Sequence, residues 1–268
     1  MGTPLPPVVL VLGGHDPTGG AGIIADSETI AACGGWAFTI PTALTVQNCR
    51  NVSQVMPVAP ALIHAMVEAL KDMEIAAIKV GLIADYATLQ AVETVIRGFP
   101  GIPVVVDPVL KAGGGAELST EGLIDNFCQR LLPLVDILTP NRLELARLTP
   151  EIQNVNDDTA RAVALIRQGC QAVLVTGTDD PIPGSEGEVV THTLHAPETT
   201  RQWQWPRLEG SFHGSGCTLA AALAARLAVG ERLPMACEQA QRFTWQALSQ
   251  GYRPSQGQSL PCRLHREG

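Results

Sequence analysis

Short apolar runs, each too brief for a helix and each followed by a stretch of helical periodicity, limit most strongly what this chain can become. Val8-Val9-Leu10-Val11-Leu12 is apolar at every position and stops at Gly13-Gly14, the mark of a strand buried on both faces. Residues 21–33 then turn helical, with Ile23, Ile24 and Ile30 near one face, and close on Gly34-Gly35. The alternation repeats along the chain. Strands are expected at 36–40, 76–80, 103–107, 135–138 and 172–175. Helices are expected at 59–73, where Leu62, Ile63, Met66, Val67 and Leu70 recur at three and four, and at 87–96, 118–132, 142–148, 159–168, 215–228 and 234–248. Residues 188–205 loosen into two β-prone pieces that suit an antiparallel hairpin at a sheet edge. Within them Trp203 and Trp205 share one side of a strand, which fits an edge, a dimer contact or ordinary core packing.

Such alternation predicts an α/β protein: a mostly parallel sheet with helices on both sides and an antiparallel edge. No linker composition divides the 268 residues and no internal repeat is visible, so a single domain over 1–268 is expected. The formal charge of -8 argues against nucleic-acid binding, which rests on clustered Lys and Arg. No run approaches the roughly 20 apolar residues of a membrane span, and Met1 to Pro7 carries no basic segment of a secretory signal. The seven cysteines are scattered without a C-x-x-C pair, which fits a reducing cytoplasm better than a disulfide or zinc framework.

In an open α/β sheet, ligands gather beyond the carboxyl ends of the strands. Two familiar phosphate loops fail there. Gly14-His15-Asp16-Pro17-Thr18-Gly19 opens like a P-loop, but Gly20 and Ala21 stand where Lys and Ser or Thr should follow. Gly20-Ala21-Gly22-Ile23-Ile24-Ala25 matches a loose dinucleotide fingerprint, yet seven residues separate it from Leu12 and no acidic residue follows at the required distance. The stronger signal is His213-Gly214-Ser215-Gly216-Cys217-Thr218-Leu219, running straight into a helix. There Gly214, Ser215 and Gly216 can turn backbone amides into one concavity at a positive helix end, which holds the charge of a phosphoryl group in flight. Cys217 falls in the first helical turn, where free amides favour a thiolate able to act as general base. Asp107 and the Asn141–Glu144 pair follow two other strands, and carboxylates so placed suit a Mg²⁺ that bridges phosphates.

These residues together resemble the hydroxymethylpyrimidine/phosphomethylpyrimidine kinases of thiamine biosynthesis, a branch of the ribokinase-like superfamily close to the vitamin B6 kinases. The resemblance is carried by Gly14-His15-Asp16-Pro17-Thr18-Gly19-Gly20-Ala21-Gly22-Ile23 with Ala25-Asp26, and by Thr42-Ala43-Leu44 with Gln47-Asn48. It continues through Lys79-Val80-Gly81, Asp107-Pro108-Val109, Thr139-Pro140-Asn141 with Glu144, and 213–219. It implies a ribokinase-like three-layer α/β/α sandwich and ATP-dependent phosphorylation of 4-amino-5-hydroxymethyl-2-methylpyrimidine and then of its monophosphate. It further implies that Gly14, Asp26, Gln47 and Val109 line the pyrimidine pocket and that Cys217 holds the catalytic-base position; Asp107 and Glu144 stay the candidates for Mg²⁺. Asn141 and Thr176 fall on the nucleotide side. The family usually carries Lys-Gly-Gly-His where this chain has Thr176-Gly177-Thr178-Asp179, and Lys111 stands as the candidate for that cation. A pyridoxal or pyridoxamine kinase and a non-catalytic pyrimidine-binding protein are the competing expectations. Family members often form homodimers, so a homodimer is a candidate assembly.

Overall fold

A computed structural model describes residues 5–110, 119–154, 157–177, 189–254 and 256–264. Strand β1 (Val8–His15) shows why an all-apolar run becomes a central strand. Its side chains alternate between two cores: Leu10 and Leu12 enter one, Val9 and Val11 the other. The same split recurs in β5 (Val104–Val106), with Val104 and Val106 on one side and Val105 on the opposite side.

Nine strands form one sheet in the order β3-β2-β1-β4-β5-β6-β7-β8-β9. The remaining strands are β2 (Trp36–Gln47), β3 (Val52–Pro57), β4 (Ile75–Val80), β6 (Ile137–Leu138), β7 (Val173–Thr176), β8 (Val189–Ala196) and β9 (Thr199–Pro206). Pairing is parallel from β2 through β1 and β4 to β7, and antiparallel at β2–β3 and β7–β8–β9. Helices α1 (Gly22–Ala32), α7 (Ser215–Ala228) and α8 (Leu233–Ser249) bury one face against Val9, Val105 and Leu174. Helices α2 (Pro60–Glu68), α3 (Tyr86–Arg97), α4 (Glu121–Asn126), α5 (Arg142–Leu148) and α6 (Asp158–Arg167) cover the other. The expected three-layer α/β/α sandwich with an antiparallel edge is present.

Several boundaries depart from expectation. The glycines Gly13 and Gly14 do not end β1; they pair with Pro41 and Ala43 across a register shift. A Cβ on Gly14 would stand 2.9 Å from Leu82, so glycine here serves close packing rather than termination. Strand β2 runs seven residues past Ile40 and folds back as β3, a flap that the sequence pattern did not reveal because Pro41 interrupts it. The expected helix 118–132 is an α-helix only to Asn126; a π turn (Phe127–Leu131) and a 3₁₀ turn (Leu132–Leu134) around Pro133 complete it. The hairpin at 188–205 appears as β8–β9 over its described part. Both tryptophans face α8: Trp203 Nε1 donates to Glu238 at 3.3 Å and Trp205 Nε1 to Gln241 at 2.9 Å, so they serve intrachain packing.

Candidate active site

Strand β1 lies between β2 and β4, so the chain direction around the sheet reverses at this point and opens a crevice beyond the carboxyl ends. A cavity of about 1310 Å³ occupies it. Gly14, Gln47, Val109, Asp107, Asn141, Glu144 and Thr176 lie on its wall together with the Gly214–Cys217 turn, although they come from six separate segments of the chain. Among the residues expected at the site, Lys111 falls outside the described residues, as do Thr178 and Asp179 of the loop after Thr176.

The turn at the centre of this cavity is shaped by contact between two loops. Gly214 caps α7 with φ 71°, and a Cβ there would meet the Gly20 carbonyl at 1.9 Å. Both the left-handed backbone and the close approach demand glycine. Its carbonyl accepts Thr218 N at 2.9 Å and Thr218 Oγ1 at 2.8 Å. The amides of Ser215, Gly216 and Cys217 belong to the first turn, where no helical carbonyl can reach them, and they border the cavity. That is a neutral anion site, able to act in an acidic protein.

Beneath the turn lies a buried charge cluster. In β4, Ala77 and Lys79 face the α1–α7 side, and Lys79 Nζ meets Asp26 Oδ2 of α1 at 2.9 Å with both side chains sealed from water. Asp26 was expected to line the pyrimidine pocket. It is instead fully buried behind the wall, where its carboxylate pairs with the cavity-lining Lys79. Burial lifts its pKa to about 6, against the pull of Lys79. Burial alone would lower Lys79, but Asp26, Cys217 and Asp107 outweigh it and hold the ammonium above its ordinary value. Asp107 is raised by burial, while Lys79 and the adjacent Cys217 side chain oppose the rise.

Cys217 also corrects an expectation. Its residue is only partly shielded at the cavity edge, yet burial drives the thiol up to about 12, with Lys79 and the Gly22 amide opposing and Asp107 and Asp26 adding to the rise. Burial at the helix end favours the thiol over a thiolate, and two nearby carboxylates add to that effect against a single cation.

Two residues to which the sequence assigned no role hold the turn in place. Asp16 accepts Thr18 N at 2.8 Å, Thr18 Oγ1 at 2.9 Å, Ala21 N at 2.8 Å and His213 Nε2 at 2.8 Å, which joins the Gly-rich loop to the turn. Burial pushes the Asp16 carboxyl up, but the bonds from His213 and Thr18 prevail and hold it below the ordinary range. Arg263, 3% exposed, donates Nε to Thr218 Oγ1 at 2.9 Å and Nη1 to Gly19 O at 3.2 Å and Glu28 Oε2 at 3.1 Å, while Nη2 reaches Gly20 O. Lys79 is tied to Asp26 of α1 instead; its motif was visible, its charge partner was not. Asn141 and Glu144 form a capping box for α5: Glu144 N donates to Asn141 Oδ1 at 2.8 Å and Asn141 N to Glu144 Oε2 at 3.0 Å. Glu144 thus has a structural duty alongside its place on the wall.

A family model described as phosphomethylpyrimidine kinase matches residues 16–261. The chain belongs to that family. This phosphomethylpyrimidine kinase family member is accordingly a phosphotransferase, and the matched span covers every cavity segment named above except Gly14 at its start. It is 35% identical over 255 residues to the hydroxymethylpyrimidine/phosphomethylpyrimidine kinase of Rhizobium meliloti, covering 94% of each chain. Among solved structures it is similar to an ADP complex of Bacillus subtilis pyridoxal kinase (TM-score 0.84, 26% identity, 96% of this chain and 97% of that one). It is also similar to the phosphomethylpyrimidine kinase of Clostridium difficile (TM-score 0.76, 27% identity, 89% and 97%). Arg263 lies two residues beyond the matched span.

Proposed function

We propose that this chain is an ATP-dependent kinase of the thiamine pathway, built as one domain over 1–268. It phosphorylates the hydroxymethyl group of 4-amino-5-hydroxymethyl-2-methylpyrimidine and then the resulting monophosphate. The observation that carries this reading is one cavity that spans the strand order and takes in the Gly214–Cys217 turn: Gly14 and Gln47 line it from β1 and β2, and Thr176, His192 and Trp205 line it from β7, β8 and β9 at the far end of the sheet. A cavity of about 1310 Å³ exceeds the usual range for one small ligand and suits an acceptor and a donor facing each other across an anion site. Gln47 offers an amide that can pair with a ring nitrogen and an exocyclic amine of a pyrimidine at once. ATP as the donor agrees with the ADP held by the Bacillus subtilis relative.

Phosphoryl transfer asks chiefly for alignment and for neutralisation of charge on the moving group. The first amides of α7 supply the neutralisation, and Lys79 adds a buried positive charge below them. A thiol at Cys217 can hold the acceptor hydroxyl by a hydrogen bond, and in a loose transition state that hydroxyl keeps its proton until late; Cys217 takes that proton as general base only as the thiolate, after its own proton has left to solvent. Asp107 and Glu144 would hold Mg²⁺. Both line the cavity and offer carboxylate oxygens, the donor type Mg²⁺ takes. When bound, Mg²⁺ supplies charge neutralisation at the donor phosphates. Lys111 remains the reading for a further cation near the nucleotide. Seven free cysteines agree with a reducing, cytoplasmic setting, and a homodimer is the assembly proposed from the family resemblance.

The deciding experiment is ADP release with MgATP and a panel of the pyrimidine, its monophosphate and pyridoxal. Turnover on both pyrimidines at a kcat/KM well above that on pyridoxal is expected. Turnover confined to pyridoxal would transfer the assignment to the B6 branch, the second reading favoured by the likeness to Bacillus subtilis pyridoxal kinase. Calorimetric binding of the pyrimidine with no nucleotide binding would leave a non-catalytic binder.

A further inference from the structure

Four Lys and Arg side chains border the cavity among the described residues, and three are already engaged. Lys79 pairs with Asp26. Arg50 donates Nε to the Gln256 carbonyl at 3.1 Å and Nη2 to the Gln256 side chain. Arg147 reaches the carbonyls of Leu110 at 3.4 Å and Ser119 at 3.2 Å. Arg207 differs from all of them. It is half-buried on the cavity wall, its Nε is sealed from water without an acceptor, and no described residue gives it a hydrogen bond or an ion pair.

A guanidinium N–H sealed from water without an acceptor is costly, and the rest of the Arg207 fork, on a half-buried residue at the cavity wall, is free to meet a ligand there. The backbone before Arg207 is fixed rather than loose. Trp245 Nε1 donates to the Pro206 carbonyl at 2.8 Å, and Trp205 Nε1 is held by Gln241, so the end of β9 is pinned to α8. Strand pairing sets Val190 opposite Trp205 and His192 opposite Thr176, which puts Arg207 on the Thr176–His192 arm of the cavity, away from Gln47. The cavity is also lined by Asp107, Glu121, Asp125 and Glu144. A polyphosphate entering so acidic a cavity needs a cation, and a guanidinium fork matches two phosphate oxygens at once.

We propose that Arg207 grips the non-transferred phosphates of the nucleoside triphosphate donor. The assignment rests on the reading of the Thr176–His192 arm as the donor side. Because these phosphates are held alike before and during transfer, Arg207 acts on donor binding and little on the chemical step.

The test compares wild type with Arg207→Met and Arg207→Lys, each first checked for an unchanged thermal transition. ADP binding by calorimetry without pyrimidine should weaken about tenfold in Arg207→Met, with partial recovery in Arg207→Lys. KM for MgATP should rise by a similar factor, while adenosine affinity and KM for the pyrimidine stay within about twofold. Undiminished ADP binding in a folded Arg207→Met protein overturns the assignment. Equal loss of adenosine and ADP binding does so as well, since the contact would then be to base or ribose. A KM rise confined to the pyrimidine monophosphate moves Arg207 to the acceptor phosphate and likewise overturns it. Wild-type protein that binds no ADP would bring down the donor reading itself, and this assignment with it.

Discussion

At the scale of single residues, the site is governed by charges that the fold keeps from water. Cys217 beside Asp107 and Asp26 carries a thiol near pKa 12. Its alkylation by iodoacetamide, followed by peptide mass spectrometry, should therefore keep accelerating through pH 10; a plateau below pH 8 would mean a resting thiolate after all. Cys217→Ala should lower kcat by about 10²-fold, the lower range for loss of a proton-transfer group, with a smaller change in pyrimidine KM. The Lys79–Asp26 pair makes a different demand. Lys79→Met leaves a sealed carboxylate without its cation and should cost roughly 3–5 kcal/mol of stability. Lys79→Met combined with Asp26→Leu should recover much of it in urea unfolding. A single mutant as stable as wild type would contradict the burial of that pair. The anion turn was legible in sequence because two glycines and a helix start are local signals. The partner of Lys79 was not, because Asp26 is 53 residues away and nothing in either segment announces the contact. The thiolate expected at Cys217 is disfavoured for a related reason: the helix end is written in the sequence, whereas the burial that raises the thiol, and the two carboxylates that add to it, come from packing with other elements.

At the scale of elements, strands and helices with strong periodicity appear where expected, and the departures fall where a proline or glycine has a tertiary purpose. Pro41 hides the length of β2, and with it the flap that brings Gln47 to the cavity. The β8–β9 hairpin and α8 form a unit whose stability depends on acidity. His192, buried against α8, has its pKa lowered to about 4 by burial, with Gln241 opposing. The unfolded imidazole binds its proton near 6.5, so the contribution of neutral His192 is present above that value. It drains away as pH falls from 6.5 through 4, by on the order of 3 kcal/mol in all. Urea unfolding of His192→Leu should lose less stability than wild type between pH 7 and 4.5. Parallel losses in the two proteins would show that His192 does not titrate across that range. In the Gly-rich loop and the α7 turn, Gly214→Ala should abolish turnover, because its Cβ would fall on the Gly20 carbonyl. A Gly214→Ala protein with normal kcat would mean that this approach is not needed.

At the scale of the molecule, one nine-stranded sheet gathers residues from both ends of the described chain around a single cavity. Arg263 is the farthest-reaching of these links: its bond to Gly19 spans 244 positions. A contact so remote pays the entropy of closing nearly the whole chain, so it forms after the sheet has condensed. Arg263→Ala should then leave the refolding rate near that of wild type and speed unfolding, as expected for an interaction absent from the transition state. In stopped-flow refolding, tryptophan fluorescence from the β9–α8 unit should recover before catalytic turnover does. The chain would pass through an interval in which it is condensed but idle, with a complete sheet and an anion turn still waiting for its last clasp.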